Sequence, residues 1–192
     1  MRTEAPLTEG QRDALRELAN VGAGHAATAL SIFLSGDRLA FRPPEVWTET
    51  PLQLAERLGS PAPWLALISR VQGDVRGTLW LVFGRPDAEN FLVQLSAGPA
   101  PNPWVLEEAL VRAAREAGLS AVDGIGQLTG LVLETQGPVL HRDVPSALGE
   151  AASSETELVV LGVRLQARGF SAQFLFLPCR DSVSTLLRSL HV

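Results

Sequence analysis

The chain alternates between two hydrophobic periods. From Thr8 to about Ser35 the apolar positions recur every three to four residues, as in an amphipathic helix, and Gly36 follows as a stop. Thr8 with Gln11 three residues later predicts a capping box at the start. Leu39–Thr48 is strand-like but is interrupted by Pro43-Pro44, and Pro51–Leu58 predicts a short helix. Trp64–Val71 and Gly77–Phe83 are apolar and alternating, as strands are, and Pro86–Ser96 returns to a helical period.

The same order then repeats. Asn102 is a natural N-cap with Pro103 at the first helical position, and a helical pattern runs toward Thr129. A strand near Pro138–His141, a short helix near Pro145–Ala152, strands at Leu158–Gln166 and Gly169–Pro178, and a closing helix over Arg180–Leu190 follow. Pro43 and Pro138 lie 95 residues apart, and Asp87 and Asp181, each opening a last helix, lie 94 apart. Several matches near one offset, in one element order, predict an internal duplication. The expected fold is α+β: a pseudo-symmetric duplication of an α-β-α-β-β-α unit, sharing one antiparallel sheet with helices packed on it. Residues 1–192 are expected to form a single domain with halves of approximately 8–98 and 102–192.

Composition narrows the function. The chain has 192 residues, 46% of them hydrophobic, enough for a real core. Its net charge of -5 argues against a nucleic-acid partner, which needs a basic face. No apolar run approaches the roughly 20 residues of a membrane helix, and the N-terminus lacks the basic-then-apolar order of a signal peptide. No membrane is expected, and the expected location is cytoplasmic. Cys179 stands alone, so no intrachain disulfide forms, and His25, His141 and His191 show no metal-ligand spacing. Gly22 to Ala27 matches a dinucleotide fingerprint, but a helical stretch precedes it where a strand is needed. Trp47, Trp64, Trp80 and Trp104 are expected to be packing residues.

One constellation stands out. Asp13, Glu17 and Asn20 are spaced i, i+4 and i+7, which places them within a sector of roughly 60° on one helix face. Leu15, Leu18 and Gly22 fall on the opposite side, and Gly24 lies on the polar face one turn past Asn20. Acidic residues on a helix face are most often simply solvated. Asn is the unusual member, because it favours caps and turns. Two glycines inside a helix, each costing about 1 kcal/mol relative to Ala, predict close approach on both faces. Gly22 would let the core pack tightly, and Gly24 would admit a partner near Asn20.

The stretch Leu15–Ser31, LRELANVGAGHAATALS, closely resembles the CheC/CheX/FliY phosphatase family. That family's signature is an Asp or Ser, three residues, Glu, two residues, Asn, then 22 residues and Pro. Asp13, Glu17, Asn20 and Pro43 match it at all four positions. His25 departs from the Asn usual in the family. The resemblance implies a pseudo-symmetric fold, often with a site in each half. In the second half, counting back 22 residues from Pro138 reaches Arg115, and Glu108, Arg112 and Arg115 replace Asp, Glu and Asn. Two guanidinium groups there would be repelled by a cationic receiver site, so this second site is expected to be dead.

The resemblance further implies an activity. A CheY-like response regulator carries the aspartyl phosphate, a lysine and Mg2+, and the phosphatase needs no cofactor of its own. Asn20 is implied to position the attacking water, and Glu17 to pair with the regulator's lysine. Asp13 is placed at the rim of the contact, and Pro43 is a structural member of the motif without chemistry. A CheD-type adaptor is a further partner the resemblance implies. The competing reading is a binding module for a phosphorylated regulator or such an adaptor, without hydrolysis.

Overall fold

The structure, a computed structural model, describes residues 6–34, 38–59, 64–96, 103–142, 147–148 and 156–192. Helix α1 (Glu9–Phe33) leads to short strands β1 (Ala40–Phe41) and β2 (Glu45–Glu49), helix α2 (Pro51–Gly59), and the hairpin β3 (Trp64–Gly73) and β4 (Gly77–Gly84). Helix α3 (Arg85–Ser96) ends the first half. The second half runs through α4 (Pro103–Thr129), β5 (Leu133–His141), the hairpin β6 (Leu158–Ala167) and β7 (Phe170–Pro178), and α5 (Arg180–Ser189).

The expected capping box is present. Gln11 N–H donates to the Thr8 hydroxyl at 3.3 Å, and Thr8 N–H donates to the Gln11 carboxamide at 3.0 Å. Pro103 opens α4 as expected, while Asn102 and Gly36 lie outside the described residues. Of the helix expected near Pro145–Ala152, only residues 147 and 148 are described, and both are helical. Strand β5 begins at Leu133, five residues before the expected Pro138. Its N-terminal part is polar and mostly exposed, because β5 is an edge strand and lacks the apolar signature of a buried one.

All strand pairings are antiparallel, in the order β1-β6-β7-β4-β3-β5, with β2 also on β6. The halves exchange strands. β2 of the first half pairs with β6 of the second, and β5 of the second pairs with β3 of the first. Glu45 pairs with Gly162, and the positions 94 residues away, Val139 and Ile68, also pair. Phe41 pairs with Leu165, and Thr135 with Val71 at the same offset. The break at Pro43-Pro44 has its counterpart in the register shift between Ile68 and Arg70, opposite Gly137-Pro138. Strand register therefore aligns Pro138 with Pro44, one residue from the expected Pro43. Gly137 at this bulge has φ 103°, a conformation that favours glycine.

The two centre strands are apolar on both faces. Leu79, Leu81 and Phe83 of β4 join Phe174 and Phe176 of β7 in the main core beneath the long helices. Trp80, Val82, Leu175 and Leu177 point the other way, into a smaller core closed by Leu54 of α2 and by Ala147. That alternation puts the sheet between two layers. Trp80 is fully buried and donates to Thr78, but Trp104 is 77% exposed, so the packing role expected for it does not hold.

One expected pairing is corrected. The Asp87 carboxylate accepts from Ser171 N–H at 2.7 Å, tying α3 to the other half's hairpin. The corresponding tie in the second half is made by the Ser182 hydroxyl, which accepts from Arg76 N–H at 2.8 Å. Ser182, and not Asp181, is thus the counterpart of Asp87. The reason is the offset of 95 shared by both partners of this contact.

Candidate functional site

Helices α1 and α4 cross as an antiparallel pair, and glycines set how closely they do so. A Cβ on Gly22 would lie 3.1 Å from Cδ1 of Ile125, and one on Gly124 would lie 2.7 Å from Cγ of His25. Gly22 thus serves the tight packing expected of it. Gly124 explains His25: the imidazole is half-buried against bare backbone, in a place where Asn would fill less space.

The two helices present equivalent faces. All nine buried positions of α1, from Leu15 to Leu30, have a buried counterpart 95 residues on, from Leu110 to Ile125. This burial pattern makes Asp13 equivalent to Glu108, Glu17 to Arg112, and Asn20 to Arg115. Leu15, Leu18 and Gly22 are buried, while Asp13 and Glu17 are exposed and Asn20 is half-buried on the other side. The structure brings Asp13, Glu17, Asn20 and Gly24 together on one outward face, as their spacing requires.

The three polar members differ in their engagement. Asp13 accepts from Arg16, which also reaches Glu9 at 3.3 Å. Glu9 and then Asp13 hold the Arg16 guanidinium above its ordinary range, because each stabilises the charged form. Glu17 and Asn20 make no side-chain hydrogen bond or ion pair among the described residues. Their carboxylate and carboxamide are free to meet a partner. Pro43 is exposed in the break between β1 and β2, where the absence of an N–H suits the end of a ladder.

The second face is built differently. Glu108, Arg112 and Arg115 are all exposed. The Arg112 guanidinium lies over the Phe33 ring, 6.0 Å from its centroid. Beside it an open groove of about 720 Å³ runs between α1 and α4, lined by Thr28, Ile32, Phe33, Arg112, Glu116 and Ser120 among others. Asn20 and Glu17 do not line this groove. Gly24 does line it, so the groove reaches the C-terminal end of the face that carries the motif.

Among the described residues, no group of three or more His, Cys, Asp or Glu side chains could hold a metal ion. No helix among them is long and apolar enough to cross a membrane.

Sequence reasoning missed Phe41. The Phe41 ring reaches to 3.9 Å from where a Cβ on Gly24 would be, and the residue is 38% exposed. Only the packing of β1 beside α1 reveals it, since 17 residues separate Phe41 from Gly24.

Residues 11–47 match the CheC-like family. That span contains Asp13, Glu17, Asn20 and Pro43. The chain is 29% identical over 94 residues to the CheY-P phosphatase CheC of Bacillus subtilis (strain 168), covering 48% of this chain and 44% of that protein. The matched stretch thus spans less than half the length of that curated relative. In fold the chain is similar to Thermotoga maritima FliY, with a TM-score of 0.79 at 16% identity over 97% of this chain and 98% of that one. It is also similar to a chain of the CheX-CheY-BeF3-Mg2+ complex from Borrelia burgdorferi, with a TM-score of 0.55 at 14% identity over 84% of this chain and 96% of that one. The sequence likeness to the CheC-like family thus lies in residues 11–47, which carry the α1 signature, and the likeness to solved structures shows that the fold along the rest of the chain is shared with FliY and CheX.

Proposed function

We propose that this protein dephosphorylates the aspartyl phosphate of a CheY-like response regulator through one helix face in its first half. The observation that carries the reading is the pairing of Glu17 and Asn20 on α1: outward-facing, without side-chain partners among the described residues, and inside the family match. Likeness to a CheY-P phosphatase and to a chain from a CheX-CheY complex supports a receiver as the partner.

The chemistry fits the residue types. Phosphoryl transfer to water needs positioning and charge stabilisation more than a strong base. The Asn20 carboxamide can accept from a water through its oxygen and donate through its nitrogen. It is neutral, so it does not repel the phosphoryl oxygens while it holds the water in line with phosphorus. Glu17 is poorly suited to that place, but it can pair with the ammonium of a receiver lysine and so fix the docking geometry. Asp13, held by Arg16, lies one helical turn away at the rim of this contact. Mg2+ and the phosphoryl group would both be held by the regulator, where the metal and the lysine would neutralise the phosphoryl charge.

The second face is proposed to be inactive. Arg112 and Arg115 offer neither a carboxylate for the lysine nor an amide for the water, and both repel a cationic receiver site. Location in the cytoplasm follows from the partner proposed. A CheD-type adaptor is a further proposed partner, testable by co-purification.

The test is phosphate release from candidate receivers loaded with acetyl phosphate, with binding measured in parallel. Accelerated release supports the phosphatase. Binding to the phosphorylated receiver with unchanged decay would establish the non-catalytic docking module instead.

A further inference from the structure

We propose that Phe41 is an apolar anchor for the regulator and a positioning residue for Asn20's chemistry. The inference rests on the regulator-phosphatase reading above and names a further contact of the same site. The ring stands at the edge of the helix face that carries the motif. Its tip lies 3.9 Å from the Cβ position of Gly24, which is one turn past Asn20. At 38% exposure, Phe41 is a large aromatic residue left partly in water beside a face of polar side chains. Buried aromatics surrounded by polar groups are what protein interfaces use as energetic anchors.

The internal duplication supplies an independent observation. The helix offset of 95 places Leu119 where Gly24 stands, and the strand offset of 94 places Thr135 where Phe41 stands. The half with Glu17 and Asn20 therefore has an open glycine and an aromatic ring beside it. The half with Arg112 and Arg115 has neither at the equivalent positions, and the ring beside it, Phe33, is covered by the Arg112 guanidinium. Leu119 is itself 44% exposed, so it projects from the face that Gly24 leaves bare. Gly24 admits the approach, and Phe41 provides the surface approached. An apolar side chain of the receiver would seat against the ring while its lysine meets Glu17. That second point of contact fixes the rotation of the receiver about the Glu17 pair, and with it the line from the water on Asn20 to phosphorus.

The experiment compares wild type, Phe41→Ala, Phe41→Trp and Thr135→Ala in two assays. One is steady-state phosphate release from a phosphorylated CheY-like receiver. The other is binding to the same receiver activated with beryllium fluoride, which needs no turnover. Phe41→Ala should raise KM and weaken binding by about tenfold with a smaller change in kcat. Phe41→Trp should restore both, and Thr135→Ala should change neither. If wild type binds and Phe41→Ala weakens binding but neither releases phosphate, the anchor stands and the phosphatase reading fails. If wild type releases phosphate and Phe41→Ala has unchanged KM and binding, the anchor is wrong and the phosphatase reading stands. If wild type shows neither binding nor release with the receivers tested, both are overturned.

Discussion

Glu17 and Arg112 occupy equivalent places on two helices whose nine buried positions correspond one for one at an offset of 95 residues. One fold therefore presents two faces of matching shape, one with a carboxylate and an amide, the other with two guanidinium groups. The inner, packing positions keep their hydrophobic character in both copies, while the outer ones have diverged. The contrast between the faces is thus a property of the exposed side chains, and the substitutions that interconvert them should leave the core untouched.

Converting the second face tests that statement. In an Asn20→Ala background, Arg112→Glu with Arg115→Asn should recover little phosphate release, because Leu119 and Thr135 still stand where Gly24 and Phe41 would be. Adding Leu119→Gly and Thr135→Phe should raise release measurably above the double reversion. Equal rates for the two would show that the flanking pair contributes nothing.

The glycines of the helix crossing should be intolerant of side chains. Gly124→Ala places a methyl group 2.7 Å from the His25 ring, and such overpacking costs about 1–3 kcal/mol. Gain of helix propensity offsets about 1 kcal/mol of this. Chemical denaturation should therefore show a net loss of about 1 kcal/mol, and His25→Ala should relieve it.

Gly24 should behave in the opposite way. A Cβ there meets only the Phe41 ring, at 3.9 Å, an ordinary contact. Gly24→Ala should stabilise the fold by up to about 1 kcal/mol. Gly24→Leu, which copies the second half, should displace the ring and lower receiver binding while the protein stays folded. Thermal melts read the first effect and receiver titration the second.

The ties between halves offer a stability test away from the site. Asp87→Ala leaves Ser171 N–H without its acceptor, and Ser182→Ala does the same to Arg76 N–H. Both bonds are only partly buried, so each substitution should cost about 0.5–1.5 kcal/mol in denaturant unfolding, the net worth of one hydrogen bond. Asp181→Ala should be close to neutral.

Much of this architecture was legible in the chain because the elements are amphipathic with clear periods. Thr8 and Gln11 marked the start of α1, and alternation marked β3, β4, β6 and β7. The motif in α1 was legible too, since helical spacing alone puts Asp13, Glu17 and Asn20 on one face. What sequence did not reveal depends on contacts between distant segments. The exchange of β2 and β5 between halves is set by pairing partners, which no local pattern encodes. The early start of β5 was hidden because Glu134 and Gln136 lie on an exposed edge and look like loop residues. Ser182 was overlooked because Asp181 is the more obvious acid, and only the geometry of Arg76 N–H distinguishes them. Phe41 was missed since its meaning lies in Gly24, across a turn of chain.

The central claim is that Asn20 positions the water for loss of the receiver's phosphoryl group. The most direct test follows decay of a phosphorylated CheY-like receiver with wild type, Asn20→Ala and Arg115→Ala, each shown to be folded. The account predicts acceleration by wild type, a loss on the order of 10²-fold with Asn20→Ala, as when one transition-state hydrogen-bonding group is removed, and no loss with Arg115→Ala. Equal acceleration by wild type and Asn20→Ala, or loss with Arg115→Ala instead, would contradict it.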